Sequence, residues 1–353
     1  MSRFFDLLRA SMEMHASDVH ISAGVPPSAR VDGSLVHITE QSLTLVEANE
    51  IIDEAMEGRV RECETLAMKG EVDYAYSVPS LGRFRVNVFT QRGSRAMALR
   101  ILNLSIPKPE SLGLPQCIVD LLSKKRGLVL VTGATGSGKS TSLASLINVL
   151  NQSYPYHIIT LEDPIEYLHR HSKSIVNQRE IGTDTESYAN ALRAALRQDP
   201  DVILVGEMRD LETISIAITA AETGHLVFST LHTIGAANTI DRVIDVFPPY
   251  QQQQIRTQLA DVLECVISQQ LVPKKDGHGR VAAFEIMLVN GAIRNLIREA
   301  KTFQIPTVLQ TNRKIGMQTM DDALYELYES GKIDRERALG FAQDPIALRK
   351  KLL

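Results

Sequence analysis

One stretch constrains this chain more than any other: Gly133-Ala134-Thr135-Gly136-Ser137-Gly138-Lys139-Ser140-Thr141. It satisfies GxxxxGK[ST]. The apolar run Leu128–Thr132 precedes it, and an apolar helical pattern starts at about Ser140, which is the setting the motif requires. Glycines let backbone N–H groups curl around phosphate oxygens with no Cβ in the way. The following helix N-terminus adds unpaired N–H groups and positive partial charge. Lys139 suits the β- and γ-phosphates, and the Ser140 hydroxyl suits Mg²⁺. Residues 133–141 are therefore the candidate nucleotide-binding loop.

Strands and helices alternate around this loop. His157–Leu161, Val202–Val205 and Leu226–Thr230 are further apolar runs. Their spacing predicts a parallel sheet covered on both faces. In such sheets ligands sit beyond the carboxyl ends of the strands. Glu207, which ends Asp201-Val202-Ile203-Leu204-Val205-Gly206-Glu207, is thus placed for Mg²⁺, directly or through water. Capping the next helix is its competing use. Asp201, at the other end, is structural. Thr160–Glu166 packs the carboxylates Glu162, Asp163 and Glu166 after a strand. Such a cluster needs solvent or cations. It can supply the base that orients and deprotonates an attacking water, or it is an ordinary acidic loop. His225 and His232 bracket one strand. At ~3.3 Å per residue they lie about 23 Å apart, so they cannot share a metal. His232, at the carboxyl end, can face a γ-phosphate or be a satisfied histidine of no special role.

The first 108 residues read as mixed α/β. Phe4–Met14, Leu45–Met56 and Val60–Lys69 have helical spacing; Val19–Ile21 and Ser28–Ile38 suggest strands, with a turn at Asp32-Gly33. Arg83–Thr90 alternates, with Phe84, Val86 and Val88 on one side, and Ala96–Leu102 returns as a second strand. Arg83 and Arg85 share the polar face, and Arg100 lies on the returning strand. Arginines suit bidentate phosphate contact, and they suit a solvated surface equally well. Pro107 and Pro109 oppose helix and strand and begin a linker at about 105–113. The expected division is 1–108, a linking stretch over 109–126 with a short helix near Ile118–Ser123, and 127–353, mostly helical from about 290. Arg193 and Arg197 lie i, i+4, and Arg294 and Arg298 share a face of the amphipathic segment 292–299.

Length agrees: 353 residues at ~150 per domain give about two domains. Residues 1–108 carry 12 basic and 14 acidic side chains, and 109–353 carry 26 and 28, so neither part is basic enough to advertise nucleic acid. The three cysteines, Cys63, Cys117 and Cys265, form no CxxC pair. Apolar runs fall far short of the ~18–20 residues that span a bilayer. The N-terminus has no signal-peptide core. These features predict a cytoplasmic protein, associated with membranes through partners.

Four segments resemble the secretion ATPase superfamily: GATGSGKST (133–141), TLEDPIEY (160–167), DPDVILVGEMRDLETI (199–214) and AAETGHLVFSTLHT (220–233). ASDVHISAGVPPSARVDG (16–33), VNQREIG (176–182) and AIRNLIRE (292–299) are similar to the PilT-like type IV pilus retraction ATPases. The resemblance implies a PAS-like α+β N-terminal domain and a RecA-like P-loop ATPase domain, with ATP and Mg²⁺ between them. It implies a homohexameric motor that powers pilus retraction and twitching motility on an inner-membrane platform protein, at the cytoplasmic face of the inner membrane. By motif position Lys139 and Ser140 are Walker A residues. Glu166 matches the general base, Glu207 the Walker B carboxylate, and His225 and His232 the His box. Arg85 and Arg100 align with N-domain arginines that approach the phosphates; Arg197 and Arg209 are weaker candidates. The 292–299 helix is similar to a segment needed for retraction rather than hydrolysis. The length and the lack of a tetracysteine site differ from assembly and type II secretion ATPases. An accessory retraction paralogue, or a related motor for DNA uptake or protein secretion, stays open. A GTPase or small-molecule kinase lacks support, since no NKxD segment is present. Even charge counts against a helicase, and the acidic box against a scaffold without turnover.

Overall fold

The computed structural model describes residues 2–31, 33–78, 81–102 and 105–352. The chain divides into two compact units, Met1–Ser105 and Ile106–Leu353.

In the first unit, α1 (Arg3–Glu13) leads to β1 (Asp18–Ile21) and the hairpin β2 (Ser28–Val31) and β3 (Ser34–His37). Helices α2 (Leu45–Ala55) and α3 (Val60–Lys69) precede a meander of β4 (Glu71–Val78), β5 (Gly82–Gln91) and β6 (Ser94–Leu102). All six strands form one antiparallel sheet, ordered β3-β2-β1-β6-β5-β4, in a PAS-like arrangement. Phe84, Val86 and Val88 are fully buried, in one cluster with Phe4 and Leu8 of α1 and Ile51 and Ile52 of α2. Each such side chain contributes about 1.5–3 kcal/mol by leaving water. Asp32 of the expected turn lies outside the described residues; Gly33, at φ +85°, follows it. β4 is an addition to the sequence expectation. Its buried side holds Val72 and Tyr74 between charged neighbours, a weak apolar signal.

The second unit opens with a 3₁₀ turn at Pro109–Leu112, α4 (Gln116–Asp120) and a second 3₁₀ turn at Leu121–Ser123. The stretch 109–126, expected as a linker, is packed: Leu114, Ile118, Leu121 and Leu122 join the core beside the sheet. Then come β7 (Gly127–Thr132), α5 (Lys139–Ser153), β8 (His157–Glu162), β9 (Ile175–Glu180), α6 (Tyr188–Ala195), β10 (Val202–Val205), α7 (Leu211–Glu222) and β11 (Leu226–Leu231). Helices α8 (Ala236–Asp245) and α9 (Pro249–Val262) lead to β12 (Leu263–Pro273) and β13 (Arg280–Leu288). Five helices finish the chain: α10 (Gly291–Arg298), α11 (Ile305–Thr311), α12 (Met320–Glu329), α13 (Arg335–Phe341) and α14 (Pro345–Lys351).

The sheet order is β13-β12-β7-β11-β10-β8-β9. The strands expected to be parallel, β7, β8, β10 and β11, are so, and the β12–β13 hairpin adds one antiparallel pair at the edge. Both faces are covered, so side chains alternate between two cores. Leu128 and Leu130 of β7 enter one, with α7 and α9; Val129 and Val131 enter the other, with α5. A third cluster sets α12–α14 over the hairpin through Val272, Ala283, Leu324 and Leu348. β11 lies between β7 and β10, with Leu231 level with Thr132 and Ser229 with Val205. The loop after β11 therefore emerges between the phosphate loop and Glu207, while β8 brings the acidic box to the other side of β10. Among the described residues no helix is long and apolar enough to cross a membrane.

Candidate functional site

The phosphate loop is shaped by close approach to β12. A Cβ on Gly133, at φ +143°, would lie 2.3 Å from the Gln269 carbonyl oxygen and 2.6 Å from Ser137 Oγ. Only glycine fits. Gln269 is 3% exposed, and its Oε1 accepts a bond from Ser142 Oγ at 2.8 Å, tying β12 to the first turn of α5. Lys139, 8% exposed, donates from Nζ to the carbonyls of Gly133 (2.8 Å) and Ala134 (3.0 Å). Burial pulls its pKa below the usual lysine value, and the carboxylates of Glu166 and Glu207 oppose that. Both predicted acids thus act electrostatically on Lys139.

Glu207 follows β10 and is largely buried. Its Oε2 pairs with Arg209 Nε at 2.7 Å and lies 3.5 Å from His232 Nε2. Gly206 makes this junction tight: a Cβ there would stand 2.9 Å from Tyr188 Oη and 3.0 Å from the Leu161 carbonyl. Thr230 Oγ1 donates to the Gly206 carbonyl at 2.5 Å, stitching β11 to the Glu207 turn.

The acidic box divides its labour. Glu162 accepts Thr160 Oγ1 (2.6 Å) and Gln178 Nε2 (3.1 Å) and also the backbone N–H of Glu166. Burial pushes its pKa up, with those bonds holding it back. Glu162 therefore shapes the loop, whereas Glu166 and Asp163 are exposed. Tyr167 Oη meets Thr141 Oγ1 at 3.0 Å and fastens the box to α5.

The structure brings Lys139, Glu166, Glu207 and His232 to one end of the sheet, with Ser140 exposed and Thr141 half-buried at the start of α5. Arg209, a weaker candidate, is at the site through Glu207. His225 is not: its ring Nδ1 lies 2.9 Å from the Ala220 carbonyl, at the amino end of β11. Arg193 pairs with Glu212, and Arg197 donates to the Arg193 carbonyl at 3.1 Å, a local helix-end contact. Asp201 accepts the His157 N–H at 2.8 Å, a structural role. In the first unit, Arg85 and Arg100 stand opposite each other on β5 and β6. Arg85 pairs loosely with Asp73 (3.9 Å), and Arg100 Nε donates to Asp18 Oδ1 at 2.9 Å. Sequence reasoning missed Gln269, Tyr167 and Tyr188. A polar Ser268-Gln269-Gln270 run inside an apolar strand was the available signal.

A cavity of about 980 Å³ adjoins the phosphate loop, lined by Gly138, Thr141, Gln269, Lys274, Arg280 and Lys332. It has room for a nucleoside and cations beside it. Ser137 Oγ is buried with no protein partner, as a phosphate-facing hydroxyl would be. Among the described residues no cluster of three or more His, Cys, Asp or Glu could hold a metal.

Strand order, phosphate loop and the carboxylates at the strand ends define a RecA-like P-loop ATPase. The sequence profile of the family described as type II/IV secretion system protein matches residues 6–301. Over 340 residues the chain is 48% identical to the type IV pilus retractation ATPase PilT of Pseudomonas aeruginosa, covering 96% of this chain and 98% of that protein. It is 47% identical to the twitching motility protein of Neisseria gonorrhoeae, covering 96% and 90%. The crystal structure of the pilus retraction motor PilT with bound ADP aligns with a TM-score of 0.93 at 48% identity, covering 99% of each chain. The chain belongs to the type II/IV secretion system protein family and is a nucleotide-binding ATPase of the pilus-retraction kind.

Proposed function

We propose that the chain hydrolyses Mg²⁺–ATP and uses the energy to withdraw a type IV pilus. The observation that carries the reading is the convergence of His232 and Arg209 on Glu207, with Lys139 under the influence of Glu207 and Glu166. Backbone N–H groups of 133–138, Ser137 and Lys139 hold the β- and γ-phosphates, and the nucleoside occupies the neighbouring cavity. Ser140 and Glu207 would hold Mg²⁺, which would supply positive charge to offset that of the phosphates. Glu166, oriented by Glu162, takes the proton from the water that attacks the γ-phosphorus, and the bond to the β-phosphate oxygen breaks. His232 faces the γ-phosphate. Residues 1–108, joined through 109–126 to 127–353, contribute Arg85 and Arg100 to nucleotide held in a ring of six copies. Domain movements of that ring act on a membrane platform protein at the cytoplasmic face of the inner membrane.

The test pairs turnover of purified protein with twitching of complemented cells. Lys139→Ala loses nucleotide binding and turnover. Glu166→Gln keeps ATP binding, slows hydrolysis by about 10²–10⁴-fold, and stops twitching. Near wild-type turnover in Lys139→Ala refutes the site. A silent Glu166→Gln beside a crippled Glu162→Gln moves the base to Glu162.

A further inference from the structure

Glu285 sits in β13, outside the groups assigned above, and is 4% exposed. Its Oε1 accepts the Ala236 N–H at 2.6 Å, and its Oε2 the Met320 N–H at 3.3 Å. The side chain of Gln343 also bonds to it. Ala236 opens α8, four residues after His232, and Met320 opens α12. On β12, Ser268 lies directly across from Glu285 and level with Thr132, the last residue before the phosphate loop. Ser268 Oγ accepts the Gly235 N–H at 3.0 Å. A Cβ on Gly235 would come within 3.3 Å of Gln343 Nε2 and 3.7 Å of Glu285 Oε1, so the loop is seated closely on this group. Gln270 Nε2 adds a bond to the Phe341 carbonyl at 3.3 Å.

A carboxylate buried this deeply is costly, and apolar packing would serve stability as well. Two helix N-termini share this one, each offering unpaired N–H groups and positive partial charge. We propose that Glu285 is a positioning residue for ATP hydrolysis: by capping α8 and α12 together it fixes the His232–Gly235 loop against Glu207 and ties that loop to the C-terminal helices. The inference rests on His232 belonging to the hydrolytic site.

The test is a double-mutant cycle in the full-length protein, reading kcat and KM for ATP. Glu285→Gln keeps the shape but turns one acceptor into a donor that faces an N–H. It should lower kcat by at least about 10-fold with KM unchanged, since misplacement of a reacting group by an ångström costs that much or more. Glu285→Asp, which keeps the charge, should recover part of the rate. His232→Ala with Glu285→Gln should be no slower than His232→Ala alone. Wild-type kcat in Glu285→Gln beside a crippled His232→Ala overturns the role of Glu285 alone. Additive losses in the double variant do the same. Wild-type kcat in His232→Ala removes His232 from the site and this inference with it. Should Glu285→Gln fail to fold, Ser268→Ala removes the other anchor of the loop and is read by the same cycle.

Discussion

Arg294 and Arg298 share one face of a helix in the sequence, yet they do different work. Arg294 Nη1 donates to the carbonyls of Ala260 (2.5 Å) and Asp261 (2.7 Å), and Nη2 pairs with Glu264 at 3.4 Å. Those carbonyls belong to the last turn of α9, where no intrahelical donor remains and the partial charge is negative. Arg294 is a side-chain cap on another helix. Arg298 pairs with the Asp261 carboxylate, and both side chains are well exposed, at 41% and 55%. Removing two charge-assisted bonds to backbone carbonyls, discounted for partial exposure, costs about 2 kcal/mol. For a unit of this size each kcal/mol moves the melting midpoint by about 2–4 °C, so Arg294→Ala should melt about 4–8 °C lower. The exposed pair of Arg298 is worth about 0–1 kcal/mol, so Arg298→Ala should shift little. α9 runs straight into β12, which carries Ser268 and Gln269 beneath the site, so Arg294→Ala should slow turnover as well. Arg298→Ala should keep turnover and lose twitching. The assay is a thermal melt of full-length protein with ATP turnover and twitching of complemented cells. Equal melting shifts in the two variants, or none in Arg294→Ala, refute the distinction.

Gly206→Ala forces a methyl into a space 2.9 Å from Tyr188 Oη and 3.0 Å from a strand carbonyl. It should cost about 1–3 kcal/mol, displace Glu207 and cut turnover; an unchanged urea midpoint and rate contradict this. Arg85→Ala and Arg100→Ala break ion pairs worth at most about 1 kcal/mol on an exposed face. Each should leave the melting temperature nearly unchanged while turnover of the assembled ring falls; full-rate turnover in both removes them from the site. Burial holds the pKa of Glu162 above its ordinary value of 4.5. The native protein then keeps a proton that the unfolded chain has released, so this group's contribution to stability falls as pH rises above 4.5. Glu162→Gln lacks that loss, and its stability relative to wild type should improve with pH in urea unfolding from pH 4.5 upward; a pH-independent difference refutes it.

The phosphate loop was legible because phosphate geometry dictates local sequence. Gly133 has no alternative against the Gln269 carbonyl, and Lys139 must follow a glycine-capped helix start. β7, β8, β10 and β11 were legible because burial on both faces makes them mostly apolar. The expectations that failed share one cause. β12 hid behind Ser268-Gln269-Gln270, which are polar because each holds something: Ser268 the His232 loop, Gln269 the first turn of α5, Gln270 the C-terminal helices. The stretch 109–126 looked like a linker because its prolines outweighed four leucines and isoleucines whose burial needs the sheet and α5, which lie outside the stretch. The capping role of Arg294 was not legible because its partners are backbone carbonyls of another helix, and carbonyls leave no trace in side-chain patterning. Glu285 carried no signal in the sequence. Its three donors come from the first residues of α8 and α12 and from Gln343, about 50, 35 and 58 residues away in the chain, so no local window contains them. Local pattern fails here where a polar group is spent on long-range positioning, as expected when function overrides propensity.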